Sequence, residues 1–332
     1  MAITLSRRRF ITFVAAAAGL PLLMKAGNSK ARLARWAGTS LGAPAQIQLY
    51  HRDEGQAQRA IAAALDELNR CERIFSVYRA DSAISALNRD GVLENAPEDF
   101  IVLLSRALSL ARITEGVYDP TVQPLWQLYF RHFTAARPDP AGPSAQHVAA
   151  ALSRVDWRAV EIDAGRRRIA FARPGMGLTL NAGGQGYITD RVVDVLRAHG
   201  FASMLVDMGE PRALSVKPDG SAWRIGIANP ADPGRTVTTL DVVDKCVATS
   251  GGYGTLFDDA GVFTHLFDTR TGKTAPALLG VSVVADLGII ADGLSAAMLL
   301  APADRRRAIL KAAGGQKAIY VTPEGVVSTV EC

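Results

Sequence analysis

One segment of the sequence combines small residues with a position suited to anion binding. It joins a predicted strand to a predicted helix and reads Leu180-Asn181-Ala182-Gly183-Gly184-Gln185-Gly186-Tyr187. Glycine lets the backbone approach a ligand closely, and the free N–H groups at a helix start attract negative charge. The segment therefore predicts an anion-binding loop, with a plain tight turn as the structural alternative.

Hydroxyl, imidazole and carboxyl groups follow further along the chain. Thr249 and Ser250 end a predicted strand, and His265 lies in the next loop. A histidine titrates near neutrality and can move a proton. Asp292 starts an apolar predicted helix, where it is either a ligand for a hard cation such as Mg²⁺ or only a favourable charge at the helix N-terminus.

The glycine segment departs from the common nucleotide-binding fingerprints. Thr189 occupies the third glycine position of the Rossmann pattern, and the neighbouring elements are not a βαβ array. Phe267 stands where a Walker loop has its leading glycine. A nicotinamide or flavin oxidoreductase, to which the loop alone points, is therefore kept only as an alternative.

Periodic patterns predict the elements that position these residues. Helices are predicted over residues 56–75, 98–114, 147–154, 187–199, 290–300 and 302–313, and strands over 45–50, 159–162, 168–172, 204–206, 222–227, 237–242 and 280–284. Strands and helices do not alternate regularly, which favours an α+β fold with a mixed β-sheet core and flanking helices. We expect a helical half (35–155) packed on a β-rich half (156–330), with a ligand cleft between them.

The composition is that of an ordinary globular protein. The 332 residues are 48% hydrophobic and 21% charged, which argues against disorder and against a polytopic membrane protein. The formal charge is +5, but the first 26 residues hold four of the cations and no acid, so the remainder is nearly neutral. A nucleic-acid partner is therefore not expected.

The N-terminus resembles an export signal. Ser6-Arg7-Arg8-Arg9-Phe10-Ile11 leads into an apolar stretch over residues 10–24, shorter than the ~18–20 residues that span a bilayer. The arrangement is similar to a twin-arginine signal in residues 1–30, with an ordinary secretory signal or an uncleaved anchor as alternatives. It implies a periplasmic protein that the twin-arginine translocase exports already folded.

The cysteines predict neither a disulfide framework nor a structural zinc site. Cys71, Cys246 and Cys332 are odd in number, far apart and without a CxxC pair. Buried free thiols are the expected state, with one disulfide bridge in an oxidising compartment as the alternative.

Taken in order, these elements resemble the ApbE-type FAD:protein FMN transferases, from about residue 35 to 330. The resemblance begins with two motifs, Phe75-Ser76-Val77-Tyr78 and Gly116-Val117-Tyr118-Asp119-Pro120-Thr121. It continues through the glycine segment, a strand ending at Val206-Asp207-Met208-Gly209-Glu210, the Thr249-Ser250 cluster, His265 with Asp268 and Thr271-Gly272, and Ala291-Asp292.

The resemblance implies an activity and a set of site residues. The implied reaction transfers the FMN part of FAD to a Ser or Thr hydroxyl of an acceptor protein and releases AMP. The implied Mg²⁺ ligands are the Gly184 carbonyl and Asp292. His265 is either the base for the acceptor hydroxyl or only a hydrogen-bonding partner of FAD. The implied FAD-binding residues are Tyr78, Tyr118, Asp119, Asn181, Gly184, Gln185, Tyr187, Thr249, Ser250 and His265.

Three positions depart from the family pattern. Gln185 replaces a frequent lysine, Thr269 replaces a proline, and Ala296 replaces a threonine that supplies a metal-binding hydroxyl. Ser295 or a water would have to replace that hydroxyl. These departures keep open an inactive or weakly active flavin carrier or assembly factor as the alternative.

The export signal and the glutamine together are similar to the periplasmic members linked to nitrous-oxide respiration. That likeness implies a membrane-bound electron-transfer protein as the acceptor. The chain has no obvious acceptor run of its own, so we expect that it is not itself flavinylated.

Overall fold

The structure is a computed structural model that describes residues 31–274, 280–322 and 324–332. The predicted export signal lies outside these residues. The helices of the described part are α1 (Glu54–Phe75), α2 (Ala83–Asp90), α3 (Glu98–Ile113), α4 (Gln123–Phe133), α5 (Ala145–Leu152), α6 (Asn181–Ala198), α7 (Gly288–Leu300) and α8 (Arg306–Ala312). None of these described helices has the length and apolar character needed to cross a membrane.

Strands form three sheets among the same residues. They are β1 (Arg32–Ser40), β2 (Ala43–His51), β3 (Val92–Leu93), β4 (Val160–Asp163), β5 (Arg168–Phe171), β6 (Met204–Asp207), β7 (Pro211–Leu214), β8 (Trp223–Asn229), β9 (Asp232–Val242), β10 (Lys245–Gly251), β11 (Gly280–Ala285), β12 (Gly315–Val321) and β13 (Val327–Glu331). Each numbered range predicted as a helix or strand has a counterpart. The strand predicted to lead into the glycine segment is absent, because residues 172–180 form a turn and irregular chain. The elements α2, α4, β1, β3, β7, β12 and β13 were not predicted.

The largest sheet has eight strands in the order β1-β2-β6-β7-β10-β11-β12-β13. Every pairing in it is antiparallel. The α+β class expected from the sequence is confirmed. The expected division at residue 155 does not divide this sheet, because β2 from the helical half pairs with β6, placing Gln46 opposite Asp207.

The two faces of the large sheet pack against different partners. Met204 and Val206 of β6 join the main core beneath the helices, while Leu205 between them joins a second cluster. That cluster holds Trp223 and Ile225 of the β8–β9 ribbon. Successive strand residues point to opposite faces, so the helices cover one face and the ribbon part of the other.

All three cysteines are free. Cys71 and Cys246 are buried, as expected, because small apolar thiols pack well in cores. Cys332 is exposed, which corrects the expectation of a buried thiol there. It follows β13, which lies at the edge of the sheet and buries little of its surface.

Candidate active site

The glycine segment forms the broken first turn of α6, not a loop ahead of the helix. Ala182 has φ −83° and ψ 113°, and Gly183 has φ 101° and ψ −23°, so neither is helical. A φ of 101° is a conformation that side-chain-bearing residues rarely adopt, which explains glycine at 183. Regular helix therefore begins at Gly184, and its first N–H groups are available to donate hydrogen bonds to a negatively charged partner.

That negative partner is Asp292 of α7. The N–H of Gly186 donates to Asp292 Oδ2 over 2.9 Å. The two helices touch at glycines, since a Cβ on Gly186 would lie 2.1 Å from the carbonyl oxygen of Gly288, and one on Gly288 would lie 2.3 Å from that of Gly186. No larger residue fits at either position without moving a helix.

A second carboxylate makes the converse contact. Asp190 of α6 accepts from the N–H groups of Gly288 and Ile289, over 2.8 and 3.0 Å, at the start of α7. Each helix thus supplies the carboxylate that caps the other. Asp190 also pairs with Arg212 of β7, whose Nη1 donates over 2.7 Å.

Asp292 differs from Asp190 in its electrostatic surroundings. Burial raises the pKa of Asp292 to about 6, although the N–H groups of Gly186, Gly183 and Gln185 favour its charged form. Only 3% of the residue is exposed. Among the described residues, no lysine or arginine pairs with it, whereas Arg212 is committed to Asp190. A buried carboxylate without a cationic partner is costly, and a bound cation would relieve that cost.

The donor chemistry around Asp292 fits a magnesium ion held partly by its substrate. The described residues contain no cluster of three or more His, Cys, Asp or Glu side chains able to hold a metal. Mg²⁺ commonly uses one or two carboxylates together with phosphate oxygens and waters. Asp292 and the backbone oxygen of Gly184, a buried residue at the start of regular helix, meet that requirement.

The hydroxyl groups predicted near this site already have protein partners. Thr249 Oγ1 lies 2.7 Å from Ser282 Oγ, and Ser250 Oγ lies 2.7 Å from Ser295 Oγ. Ser295 Oγ also donates to the carbonyl of Asp292, over 2.8 Å. These bonds attach β10 to β11 and to α7. Ser295 lies one helical turn after Asp292, and its hydroxyl is already bonded to Ser250 and to the helix backbone.

Glu210 was quoted only as part of a sequence motif, yet it lies deep in this region. Its Oε2 accepts from the N–H of Thr249 over 2.9 Å. Burial raises its pKa well above the usual value, and the charge of Asp292 adds to the effect. Together with Asp207 and Gly209 it lines a cavity of about 60 Å³ between the β8–β9 ribbon and the sheet. The sequence signal that could have identified Glu210 as a site residue is a charged residue next to a glycine at the end of a strand.

His265 lies in the segment that follows β10. Its Nδ1 is 3.1 Å from the carbonyl oxygen of Thr255, which can only accept, so Nδ1 carries the proton. In the neutral ring Nε2 is then the free acceptor. Burial lowers the pKa of His265 below 6.5, which keeps the ring neutral at pH 7. This is the protonation state that a general base requires.

Tyr78 and Asn181 are brought together at the surface. Tyr78 is 61% exposed, and Asn181 Nδ2 lies 3.5 Å from its hydroxyl. Asn181 opens the broken turn of α6. An exposed aromatic face next to an anion-binding turn suits a flat ring attached to a phosphate.

Tyr118 and Asp119 instead organise the chain beneath that turn. The hydroxyl of Tyr118 donates to the carbonyl of Ala182 over 3.2 Å. Asp119 accepts from the N–H and hydroxyl of Thr121, over 2.8 and 2.6 Å, and from the N–H of Trp157 over 3.0 Å. Tyr118 thus supports the glycine turn directly, and Asp119 has little capacity left for a ligand.

The side chains of Tyr187 and Gln185 contact other parts of the fold. The hydroxyl of Tyr187 bonds to Asp99 of α3, and its ring packs edge-on against Phe75. The amide of Gln185 lies over Gly209, where a Cβ would come within 2.3 Å of Nε2. In this structure Tyr187 anchors α6 to its neighbours, and Gln185 packs on the turn between β6 and β7.

A cavity of about 90 Å³ lies behind the glycine turn. Its walls include Tyr118, Gly183, Leu103 of α3, and Ile289 and Gly293 of α7. It is too small for a dinucleotide, since pockets for ligands of that class enclose about 300–1,000 Å³. A larger ligand would have to extend over the surface at Tyr78.

The fold and this site together define an α+β protein in which a buried carboxylate, without a lysine or arginine partner among the described residues, accepts from the N–H groups at the start of a second helix. Residues 41–320 match the sequence profile of the ApbE family. The chain belongs to that family. Its relatives include the FAD:protein FMN transferase of Treponema pallidum (strain Nichols), 29% identical over 90% of this chain and 87% of that protein. The enzyme of the same name from Vibrio cholerae serotype O1 is 29% identical over 88% of each chain.

Solved structures share the architecture. The apo form of the Pseudomonas stutzeri flavinyl transferase ApbE is similar with a TM-score of 0.76 and 26% identity, covering 91% of this chain and 95% of that one. The apbe protein of Thermotoga maritima has a TM-score of 0.77 at 22% identity, covering 90% and 96%. The second likeness concerns the fold alone.

Proposed function

We propose that this chain transfers FMN from FAD to a Ser or Thr hydroxyl of an acceptor protein and releases AMP. The observation that carries the proposal is the buried carboxylate of Asp292, which has no cationic side-chain partner among the residues that the structure describes and lies against the N–H groups of α6. Relatives that align with nine-tenths of the chain bear the name of this activity.

FAD binding would use the surface around the broken turn. The N–H of Gly186 is already bonded to Asp292, so the diphosphate would lie beside the broken turn, where a cation at Asp292 would neutralise its charge. Tyr78 and Asn181 flank that turn and are open to solvent, so one flat ring of FAD can stack there. Tyr118 holds the turn from below through Ala182.

The reaction exchanges one phosphorus–oxygen bond for another. The acceptor oxygen bonds to the phosphorus that carries FMN, the bond from that phosphorus to the bridging oxygen breaks, and AMP leaves with that oxygen. The hydroxyl proton passes to Nε2 of His265, which is free because Nδ1 is bound to Thr255. His265 acting only as a hydrogen-bonding partner of FAD is the alternative role.

Asp292 and the Gly184 carbonyl would hold Mg²⁺. When bound, the ion supplies charge neutralisation at the diphosphate. Asp292 is held ready for it by the N–H of Gly186, and α7 is secured to β10 through Ser295 and Ser250. Ser295 contributes by this attachment, while a water can fill a vacant position because Mg²⁺ retains waters readily.

A flavin carrier without transferase activity is the second candidate. Ala296 of α7 is buried and has no oxygen to offer a metal, and the Gln185 amide packs on Gly209 and brings no positive charge. Losing one oxygen ligand weakens Mg²⁺ binding without removing it. These two positions favour a slow enzyme or a carrier over a fast enzyme.

The acceptor and the compartment are part of the proposal. An arginine-rich N-terminal segment supports export to the periplasm by the twin-arginine translocase. A periplasmic acceptor follows, and a membrane-anchored electron-transfer protein, such as one serving nitrous-oxide respiration, is the kind we propose.

One assay distinguishes the candidates. The protein is incubated with FAD, Mg²⁺ and a soluble acceptor domain bearing a Ser/Thr flavinylation motif, and the denatured acceptor is examined for flavin fluorescence. We expect labelling that disappears with EDTA and in Asp292→Asn. Bound flavin without labelling would indicate the carrier, and flavin reduction by NAD(P)H would indicate an oxidoreductase.

A further inference from the structure

We propose that the Asp190–Arg212 ion pair is the positioning element that sets Asp292 for a divalent cation. The inference deepens the proposed function and rests on it. Asp190 and Arg212 do not contact the proposed ligands; they act through the helix that carries Asp292. The pair is buried on both sides, with side chains 11% exposed each.

The helices α6 and α7 cap each other reciprocally. The bond from Gly186 to Asp292 and the bonds from Gly288 and Ile289 to Asp190 run in opposite directions between the same two helices. Sliding α7 along α6 would therefore break all three at once. Asp190 thus sets the axial position of α7, and with it the depth of Asp292.

The contact between Gly186 and Gly288 makes the site sensitive to small shifts of α7 along α6. Gly186 and Gly288 meet backbone to backbone, so the helices have no side-chain layer that could absorb a small shift. Arg212 connects this contact to β7 of the large sheet, because its Nη1 donates to Asp190 Oδ1. The same oxygen accepts from the N–H of Gly288. Three elements are thereby fixed at one carboxylate.

Removing Arg212 distinguishes an effect of its charge from an effect of its position. Arg212 carries the positive charge nearest to Asp190, and removing it leaves Asp190 buried without compensation. If Arg212 influenced the cation only through its charge, its removal would strengthen cation binding. If Arg212 acts by position, its removal weakens cation binding, and the sign separates the two explanations.

The test measures Mn²⁺ binding to the full chain by the loss of the free-ion signal in electron paramagnetic resonance, with ADP present as the diphosphate. We expect Arg212→Met and Asp190→Asn to raise the Mn²⁺ Kd about tenfold or more, in the range seen when groups behind metal ligands are removed. Arg212→Lys keeps the charge and should stay within about threefold of wild type.

A matched control accounts for general destabilisation. Ile319→Ala in β12 truncates a buried side chain in the cluster under the β8–β9 ribbon, on the opposite face of the sheet. It should lower Tm while leaving the Mn²⁺ Kd within about twofold. In the double variant of Asp190 and Arg212 the two losses should not add, because both remove the same pair.

Kinetics supply a second readout. The Mg²⁺ concentration for half-maximal transfer should rise in Arg212→Met while kcat at saturating Mg²⁺ stays within about threefold, since a displaced ligand is compensated by more metal. Unchanged or tighter Mn²⁺ binding in Arg212→Met would overturn the inference, as would an equal loss in Ile319→Ala. If Arg212→Met does not fold, Asp190→Asn and Arg212→Lys decide.

The inference and the proposed function can fail separately. Wild-type protein that binds Mn²⁺ with ADP, with the expected order of variants, but labels no acceptor would refute the transferase and leave the positioning role standing. Wild-type protein that binds no Mn²⁺ would overturn the positioning role.

Discussion

The residues of the site differ in whether their polar atoms are already bonded to other parts of the protein. The polar atoms of three of them already form hydrogen bonds to other segments of the chain: Ser250, Thr249 and Asp119. Asp292 and His265 keep capacity for a ligand, the first as an unneutralised carboxylate and the second at Nε2. Chemistry at this site should therefore depend on Asp292 and His265, and assembly of the site on the others.

His265 gives the sharpest prediction at this scale. Replacing it with alanine should lower the transfer rate at saturating FAD by about 100-fold or more, the usual contribution of a positioned base. Because burial lowers its pKa, the rate should decline only below pH 6.5 in wild type. The decline should be absent from the residual rate of the variant.

The measurement is the rate of acceptor labelling across pH 5–8 with saturating Mg²⁺. Arg270→Met, which changes an exposed residue of the neighbouring loop, is the control and should keep wild-type rates. A loss below threefold in His265→Ala would remove the base role and leave hydrogen bonding to FAD.

Asp292 makes stability depend on pH when no metal is bound. Burial raises its pKa from 3.8 to about 6, so the native state holds this proton more tightly than the unfolded chain. The free energy of unfolding must then fall as pH rises from about 4 to about 6. At about 1.4 kcal/mol per pKa unit, this group contributes a fall of about 3 kcal/mol.

Asp292→Asn should remove that contribution. Urea unfolding in EDTA at pH 4.5 and 7.5 would show a smaller loss of stability in the variant than in wild type. Adding Mg²⁺ and ADP at pH 7.5 should raise Tm in wild type and leave the variant unchanged. An equal pH dependence in both proteins would contradict the raised pKa.

The contact between α6 and α7 determines where Asp292 lies relative to the N–H groups of α6. A broken first turn exposes N–H groups, and a glycine contact brings Asp292 up to them. The glycine positions are not equivalent: a Cβ on Gly186 would collide with the Gly288 carbonyl, while one on Gly184 would meet only Leu41 Cδ1 at 3.7 Å.

Two alanine variants test this difference. Gly186→Ala should destabilise the protein by about 3 kcal/mol or more, because backbone must move to accept the methyl group. Gly184→Ala should be within about 1 kcal/mol of wild type, and even stabilising, since alanine favours helix. Thermal unfolding followed by circular dichroism measures both, and equal Tm values would show that the helices do not touch at Gly186.

For the whole molecule, the charge distribution separates the N-terminal segment from the rest of the chain. Lys+Arg exceeds Asp+Glu by five, and four of those cations precede residue 27. The remainder of the chain is thus close to neutral, and Arg7, Arg8 and Arg9 belong to the predicted export signal.

Export should depend on two of those arginines. Changing Arg7 and Arg8 together to lysine should leave the protein in the cytoplasm, folded and able to bind FAD, because that pathway reads the paired guanidinium groups. Arg9→Lys is the matched control and should be exported. Immunoblots of periplasmic and cytoplasmic fractions measure the outcome; export of the double variant would point to an ordinary secretory signal.

By itself, the sequence determined the α+β class and most helices, because periodicity and turn residues are local properties, and it singled out the glycine segment and Asp292 as candidate site residues. It missed α4, where the aromatic residues Trp126 and Tyr129 face a cluster supplied by residues far along the chain. Only the tertiary structure decided that Tyr187 turns to Asp99, that the hydroxyls of Thr249 and Ser250 are occupied, and that α6 and α7 cap each other. The capping bonds between α6 and α7 join residues 98 to 106 positions apart, and no local pattern encodes which distant N–H a buried carboxylate will meet.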